Sequence, residues 1–293
     1  MKTYLRLLWL ALLLLTAPNV LSQQSDTIRW TPAELANGSP CLFTVQAPKA
    51  STVSGQWQGH KLSFFHAQDS WYALAGIDVE VAPGSYPLTV DVTNSDGTSQ
   101  TLRRNITISA APYEEVPLSV PEKFVQPNAA AQKKIAADKI AKDKAFAKTA
   151  PQPIWSGRFS PPLRVAPQTD SFGTRRVFNG TLASVHRGLD YRAKPGTPVA
   201  AVNSGRVVLA RHLYYEGNCI IIDHGLGLMT LYMHLSKFKV TQGTRVKRGQ
   251  IIALSGGTGR ATGPHLHLGL RWQADYLDPA KLFTLDLPTP PTH

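Results

Sequence analysis

The sequence predicts an all-β protein composed of an N-terminal immunoglobulin-like β-sandwich, a basic connecting helix and a C-terminal antiparallel β domain. Residues 23–115 contain short apolar or alternating runs separated by turns such as Asp96-Gly97, a pattern typical of a β-sandwich. Residues 116–154 are first rich in proline and then in alanine and lysine, and residues 155–285 return to short apolar runs between glycine turns. Residues 286–293 form a tail. With 293 residues and 43% hydrophobic content, the chain is long enough for two domains with real cores.

The first 22 residues predict export. Lys2 and Arg6 precede an apolar run from Leu7 to Thr16, and the small residue Ser22 follows at a position suited to cleavage. The run is shorter than the roughly 20 residues that cross a bilayer. We therefore interpret residues 1–22 as a secretory signal peptide, with an uncleaved anchor as the alternative. The expected location is periplasmic or secreted, with no membrane span after signal cleavage.

The N-terminal module is expected to position, occlude or dock rather than to catalyse. Its two histidines, His60 and His66, have no acidic or histidine partner at a recognisable spacing, so we interpret them as surface residues. Cys41 and Cys219 fall in different predicted domains and are interpreted as buried free thiols. The runs that predict strands in this module are Cys41–Val45, Leu62–Phe65, Trp71–Leu74, Leu88–Val92 and Thr101–Ile108.

The connecting segment predicts a helix over 129–148. Asn128 is a suitable N-cap, and alanine and lysine dominate the following residues. Three apolar residues, Ile135, Ile140 and Phe146, are too irregularly spaced to form a deep core face. The helix is therefore expected to lie on the surface, with a membrane-binding helix as the alternative.

The C-terminal half combines a strand-rich pattern with most of the positive charge. Residues 155–285 carry 17 Lys or Arg against 6 Asp or Glu, within a chain of net charge +12. This bias favours an anionic polymer as partner, and export argues against nucleic acid. A solvated basic surface without a partner is the alternative. The expected structure is an antiparallel sheet or a partly open barrel, with strands at Pro198–Val202, Gly205–Ala210, Asn218–Asp223, Met229–His234 and Gln250–Leu254.

The histidines of this half form a pattern that predicts a metal site. In a strand, His265 and His267 share one face and stand roughly 6.6 Å apart, with leucines on the other face. His186 and Asp190 lie four residues apart around a glycine that permits the chain to fold back. With His234, these residues give four histidines and one aspartate in a β scaffold. Three nitrogen or oxygen ligands with spare histidines nearby favour an open, catalytic zinc over a closed structural site.

These residues belong to a longer series of motifs, which closely resembles the lysostaphin-type, or LytM-type, zinc metallopeptidases. The resemblance covers about residues 155–285. Its motifs are Ser171–Arg176, Asn179-Gly180, His186 with Asp190, Pro195–Val199, Asp223–Gly225, Tyr232 with His234-Leu235, Gly256 with Thr258-Gly259, and Gly263–His267.

The resemblance implies a division of roles among the site residues. His186, Asp190 and His267 become the ligands of one zinc ion per chain, and His234 and His265 become the catalytic pair that does not bind the metal. Arg176 and Asn179 become candidates for contact with the substrate or, in a resting state, for the fourth position at the metal. His224 is expected at a turn or groove wall. Tyr191, Tyr214 and Tyr232 are candidates for the groove lining, and His212 is expected to be exposed.

The function implied is that of an exported zinc metalloendopeptidase that hydrolyses peptide cross-links or bridges of bacterial peptidoglycan. One alternative is a non-catalytic LytM-type activator of cell-wall amidases. Another is a secreted bacteriolytic protease that cuts glycine-rich peptides. The resemblance does not decide between diaminopimelate cross-links and glycine bridges.

Overall fold

The computed structural model describes residues 27–117, 127–165, 167–178 and 181–290. The predicted signal peptide, residues 1–22, lies outside the described residues. The described parts contain 23 strands and two helices, which confirms the predicted all-β class. Neither helix combines the length and apolar character needed to cross a bilayer.

Two sheets form residues 27–109, with their apolar faces packed together. Their strands are β1 (Thr27–Thr31), β2 (Leu35–Ala36), β3 (Pro40–Gln46), β4 (Ala50–Trp57), β5 (His60–Ser63), β6 (Phe65–Ala67), β7 (Ser70–Gly76), β8 (Gly84–Asn94) and β9 (Ser99–Ser109). The sheet orders are β1-β3-β7-β6 and β2-β9-β8-β4-β5. Phe43 of the first sheet contacts Trp57 of the second, with ring centroids 5.4 Å apart. The immunoglobulin-like character of this sandwich stays a prediction.

The apolar runs identified in the N-terminal sequence coincide with strands. Asp96-Gly97 forms the expected turn between β8 and β9, where Gly97 has a φ of 84°. One run, Leu62–Phe65, is divided between β5 and β6 at Phe64. Cys41 and Cys219 are buried free thiols, as predicted.

The connecting helix α1 (Ala129–Phe146) begins where the sequence predicts, because the Asn128 side chain accepts a hydrogen bond from Ala131 N at 2.9 Å. The helix lies against the surface of the C-terminal half, and two of its residues, Asp138 and Ala145, are buried. Ala145 is buried against a second cluster of apolar side chains that includes Val208 and Met229. Asp138 is only 3% exposed. Ala141 and Phe146 pack against the same cluster.

The C-terminal half is built on an eight-stranded antiparallel sheet with the path β11-β14-β22-β18-β17-β16-β20, in which β23 pairs with β22. Two three-stranded sheets, β15-β21-β19 and β10-β12-β13, flank it. The elements are β10 (Glu115–Pro117), β11 (Gln168–Asp170), β12 (Arg175–Phe178), β13 (Thr181–Val185), β14 (Leu189–Arg192), β15 (Pro198–Ala200), β16 (Gly205–Leu213), β17 (Gly217–Gly225), β18 (Leu228–Leu235), β19 (Lys237–Phe238), β20 (Arg245–Val246), β21 (Ile251–Leu254), β22 (His265–Trp272), β23 (Asp275–Leu277) and α2 (Pro279–Leu282).

The expected antiparallel arrangement has one exception in the flanking sheets. Strand β10 comes from the start of the predicted linker and pairs in parallel with β12 of the C-terminal half. The linker therefore begins by adding a strand to the domain that follows it.

The two predicted domains share one hydrophobic core. Apolar residues of both halves belong to a single buried cluster. Phe65 of β6 contacts Trp155 with ring centroids 5.7 Å apart. A backbone hydrogen bond also links the two halves, because Asp278 N donates to Gly38 O at 2.8 Å.

The environment of His60 differs from the surface position that the sequence predicts. Its Nε2 lies 3.1 Å from the carboxylate of Asp275, and its ring packs against Trp272 with centroids 5.2 Å apart. His60 is therefore a half-buried residue between the two halves and not a surface residue. The second histidine of the module, His66, is exposed as expected.

Candidate metal centre and groove

Two neighbouring strands bring three of the predicted site residues together. Strands β14 and β22 are antiparallel, and their register places Asp190 opposite His267. The Oδ1 atom of Asp190 lies 2.8 Å from His267 Nδ1 and 3.2 Å from His186 Nε2. His186 Nε2 lies 3.0 Å from His267 Nδ1. The three donor atoms thus form a compact triangle.

The triangle has the size and chemistry of a zinc site. Ligand bonds of about 2.0–2.1 Å in a tetrahedron separate the donor atoms by about 3.3 Å, close to the 2.8–3.2 Å observed. Two imidazoles and one carboxylate form a donor set that zinc accepts, and three protein ligands leave a fourth position open. Within the described residues these are also the three side chains that form a candidate metal cluster.

A second layer of contacts orients His186. Its Nδ1 donates to Ser171 O at 2.8 Å and lies 3.4 Å from Asp170 Oδ2. Because Nδ1 carries the proton, Nε2 keeps its lone pair for the metal triangle. The ring is only 2% exposed.

Arg176 lies beside this second layer. Its Nη2 lies 2.7 Å from Asp170 Oδ2 and 3.8 Å from Asp190 Oδ2. A guanidinium has no lone pair to offer a cation, so the arrangement argues against the fourth-ligand role considered from sequence. Arg176 also lines the groove described below, and contact with substrate stays a prediction. The other candidate, Asn179, lies outside the described residues.

His234 lies in β18 at a point where the pairing with β17 is irregular. Its φ is 60°, in the left-handed region, where the register between the two strands shifts. Such irregularities redirect a side chain and are common beside active sites. The His234 N–H donates to Glu216 O at 2.9 Å, and the ring Nδ1 donates to Thr258 O at 2.8 Å. The Nε2 atom of His234 is therefore a proton acceptor.

His265 stands beside His234 at the start of β22. The two ring centroids are 4.6 Å apart, and that of His234 is 6.1 Å from His267. His265 Nδ1 donates to Gly263 O at 2.8 Å, which leaves its Nε2 as an acceptor as well. The structure thus brings all four histidines of the pattern and Asp190 to one place.

The site's protonation states are those that a metal requires. Burial alone would raise the pKa of Asp190, but its close contacts with the His186 and His267 rings outweigh it, so the pKa of this carboxyl lies well below its ordinary value. Burial lowers the pKa of His267, against the opposing effect of Asp190. Burial, followed by the charges of His267 and His265, lowers the pKa of His234 to about 3. An ionised carboxylate and neutral imidazoles need no deprotonation to bind a cation.

A groove of about 610 Å³ opens onto the metal triangle. Both halves of the chain line it, since Glu80 comes from the N-terminal sandwich. Ionic and aromatic side chains dominate the lining, which comprises Glu80, Arg176, Ser184, Val185, His186, Arg187, Tyr215, Glu216, Met233, His234, Arg260, His267 and Tyr276.

Several residues expected at the groove lie elsewhere. His224 is fully buried, with Nδ1 donating to Ser204 O at 2.7 Å and Nε2 2.8 Å from Thr230 Oγ1. Tyr232 is buried and accepts a hydrogen bond from Val202 N, and Tyr191 is also buried. Tyr214 is not among the groove residues, and its neighbour Tyr215 is. His212 is exposed, as expected.

Sequence reasoning missed Glu80, Tyr215, Glu216 and Arg260. Arg260 directly follows the Gly256 to Gly259 motif, so its position in the sequence offered a signal. Glu80 offered none, because only the packing of the two halves brings it to the groove.

Comparison with known proteins assigns this region. Residues 184–279 match Peptidase family M23. The chain is 47% identical over 103 residues to peptidoglycan DD-endopeptidase ShyA of Vibrio cholerae, covering 35% of this chain and 24% of that protein. It is 42% identical over 106 residues to DD-carboxypeptidase/endopeptidase Mpg of Neisseria meningitidis, covering 36% and 24%. An uncharacterized metalloprotease of Buchnera aphidicola is 39% identical over 101 residues, covering 34% and 27%. The matches span about a quarter of these relatives.

A solved structure shows the same fold over a longer span. A crystal structure from Pseudomonas aeruginosa, which carries a provisional peptidase M23 name, superposes with a TM-score of 0.65 at 23% identity. It covers 85% of this chain and 95% of that chain. The shared fold therefore extends beyond the matched domain into the N-terminal half.

Proposed function

We propose, from the match of residues 184–279 to Peptidase family M23, that the protein is a zinc-dependent endopeptidase that hydrolyses peptide cross-links or bridges of bacterial peptidoglycan. The observation that carries the proposal is the triangle of donor atoms from His186, Asp190 and His267 beside two further histidines. The names of the Vibrio and Neisseria relatives support the substrate class. Peptidoglycan lies outside the cytoplasm, so the substrate agrees with the predicted export to the periplasm or medium.

His186, Asp190 and His267 would hold one zinc ion per chain. When bound there, zinc acts as a Lewis acid that polarises the scissile carbonyl and lowers the pKa of water toward about 7. The chain's own contribution begins with orientation. The Ser171 carbonyl fixes the tautomer of His186, and the strand register fixes Asp190 opposite His267.

The remaining two histidines, His234 and His265, are assigned to orientation of the water and to proton transfer. The side chain of His265 is 15% exposed and its Nε2 lies 3.8 Å from the carboxylate oxygen Oδ1 of Asp190, whereas His234 is buried. We therefore assign proton transfer from water to the leaving amine to His265 Nε2. His234 stays neutral, and its Nε2 orients the water by accepting a hydrogen bond.

A purified protein tests the proposal directly. Zinc-loaded protein should release soluble muropeptides from isolated sacculi, a chelator should abolish the release and added zinc should restore it. Mass spectrometry of the products identifies the bond that is broken. Failure to release any product, combined with stimulation of a wall amidase, would contradict the proposal and favour the non-catalytic activator.

Two histidine variants test the division of roles. His267→Ala should lose both zinc and turnover, whereas His234→Ala should retain zinc and lose turnover. His66→Ala, at an exposed histidine of the N-terminal sandwich, is the matched control and should retain both. Normal turnover by zinc-loaded His234→Ala would remove this residue from the catalytic pair.

A further inference from the structure

The ionic side chains of the groove are paired with one exception. Arg176 binds Asp170 at 2.7 Å, and Arg187 binds Glu80 at 2.5 Å. Glu216 forms an ion pair with Lys142 of α1. For Arg260, no carboxylate in the described part of the chain lies within the 4.0 Å that defines an ion pair. Arg260 is therefore the groove cation whose charge the described residues leave available.

The Arg260 guanidinium is held in place by the loop opposite. Its Cζ lies 4.6 Å from the centroid of the Tyr215 ring, and Arg260 N donates to Tyr215 O at 2.8 Å. Gly259 has a φ of 76°, and a Cβ built there would stand 2.3 Å from Gly217 N. The two loops thus approach as closely as glycines allow. A stacked, fixed guanidinium loses little conformational entropy when it binds a ligand.

The same two loops also hold His234. One supplies Thr258 O, which accepts from His234 Nδ1 at 2.8 Å, and the other supplies Glu216 O, which accepts from His234 N at 2.9 Å. Arg260 is two residues from Thr258. Both Arg260 and His234 line the groove.

The local charges make this position attractive to an anion. Burial lowers the pKa of Arg260, and the nearby Arg176 acts in the same direction, against the opposing effects of Tyr215 and Glu216. The guanidinium nevertheless stays cationic at neutral pH. A bound carboxylate would offset both the desolvation and the repulsion, and a guanidinium can bind it through two parallel hydrogen bonds.

We propose that Arg260 binds a free carboxylate of the substrate next to the scissile bond, so that the enzyme cleaves stem-peptide cross-links in preference to glycine bridges. This inference rests on the proposed function. In a direct cross-link from D-alanine to diaminopimelate, the carbon that bears the scissile amide nitrogen also carries a free carboxylate. The internal bonds of a glycine bridge have no such group.

A pair of ligands that differ only in this carboxylate tests the proposal. The first is a synthetic cross-linked dimer of D-alanine and diaminopimelate stem peptides. The second is the same dimer with the carboxylate beside the scissile bond converted to an amide. Dissociation constants are measured calorimetrically on zinc-loaded His234→Ala protein, with and without Arg260→Gln.

The expected result is about tenfold or more tighter binding of the carboxylate dimer when Arg260 is present, in line with a hydrogen bond to a charged group. Arg260→Gln should bring the ratio of the two dissociation constants close to one. Arg260→Lys, which keeps the charge without the planar fork, should restore part of the ratio. Arg104→Gln, at an exposed arginine of β9, should leave the ratio unchanged.

Equal affinity for the two dimers in the Arg260 protein would overturn the proposal, as would an unchanged ratio after Arg260→Gln. Thermal unfolding of each variant shows that it is folded. Hydrolysis of the carboxylate dimer by the zinc-loaded native protein is scored separately. Absence of hydrolysis defeats the proposed function, while the ratio of affinities still decides the role of Arg260.

Discussion

Gly188 leaves the space that the ring of His267 occupies. A Cβ built on Gly188 would lie 2.5 Å from His267 Nε2 and 2.6 Å from Leu268 O, closer than real Cβ atoms come. Gly188 is not among the residues with positive φ. The sequence led us to expect a glycine that lets the chain fold back. The structure shows instead that a side chain at position 188 would collide with His267 and Leu268 of strand β22.

Gly188→Ala is therefore expected to displace His267 and to lower zinc affinity about tenfold or more. Competition with a chromophoric chelator measures the affinity. Gly263→Ala is the matched control, because a Cβ at Gly263 meets nothing within 4 Å, and it should keep the native affinity. Native affinity in Gly188→Ala would show that β22 can yield to the added methyl group.

Asp170→Asn tests the second layer around the metal triangle. The substitution removes the negative charge that lies 3.4 Å from His186 Nδ1 and 2.7 Å from Arg176 Nη2. Zinc affinity should fall about tenfold, as is usual when a partner of a ligating histidine is lost. Asp286→Asn removes a carboxylate from another exposed arginine pair, with Arg158, and should have no effect. Equal affinities in the two variants would assign the orientation of His186 to Ser171 O alone.

The burial of His224 predicts that the free energy of unfolding falls in mild acid. Burial, partly offset by its hydrogen bond to Ser204 O, lowers the pKa of His224 to about 4, below the ordinary histidine value of 6.5. Between these values the unfolded chain binds a proton that the folded chain does not, so the free energy of unfolding falls as the pH is lowered from 6.5 toward 4. The contribution of His224 should shrink by about 2 kcal/mol between pH 7 and pH 5.

His224→Gln, which cannot titrate, provides the comparison. Denaturant unfolding in the presence of a chelator at pH 7 and pH 5 gives the loss for each protein. The native protein should lose about 2 kcal/mol more than the variant. Parallel losses would mean that His224 takes up its proton without unfolding the core.

Asp138 and Asp143 of α1 make a matched pair for testing how the helix docks. Asp138 is buried, pairs with Lys134 and accepts a hydrogen bond from Tyr214 N at 2.8 Å. Asp143 is exposed and pairs with Lys139 on the helix surface. Asp138→Ala should lower the free energy of unfolding by about 2 kcal/mol. Asp143→Ala should cost about 0.5 kcal/mol or less. Equal effects in chemical denaturation would show that the helix does not depend on its buried carboxylate.

Local sequence pattern predicted most of the scaffold. Alternation identified the strands that carry the site, because each side chain's face follows from its place in a strand. The His265 and His267 pair is one example, since both rings face the site while Leu266 and Leu268 are fully buried on the other side. The spacing of His186 and Asp190 also points to one site, because β14 follows directly after His186 and pairs with β22.

Features that depend on distant contacts escaped prediction. His60 and Asp275 are 215 residues apart in sequence and meet only because the two halves pack together. Glu80 reaches the groove for the same reason. The contacts of α1 were not foreseen in detail because three of the residues that make them, Ala141, Ala145 and the buried Asp138, carry little signal in a hydrophobic pattern.

The junction between the halves determines where the chain can be cut. Trp155 packs on Phe65, Phe172 packs on Tyr113, and Leu277 fills the space over Gly76. A shortened protein that begins after the sandwich would lack Phe65 and Gly76 and would expose Trp155 and Leu277 to water. Each large aromatic side chain buries about 150–250 Å², so the bared patch would favour self-association. We therefore expect the C-terminal half to lose solubility when it is produced without the sandwich.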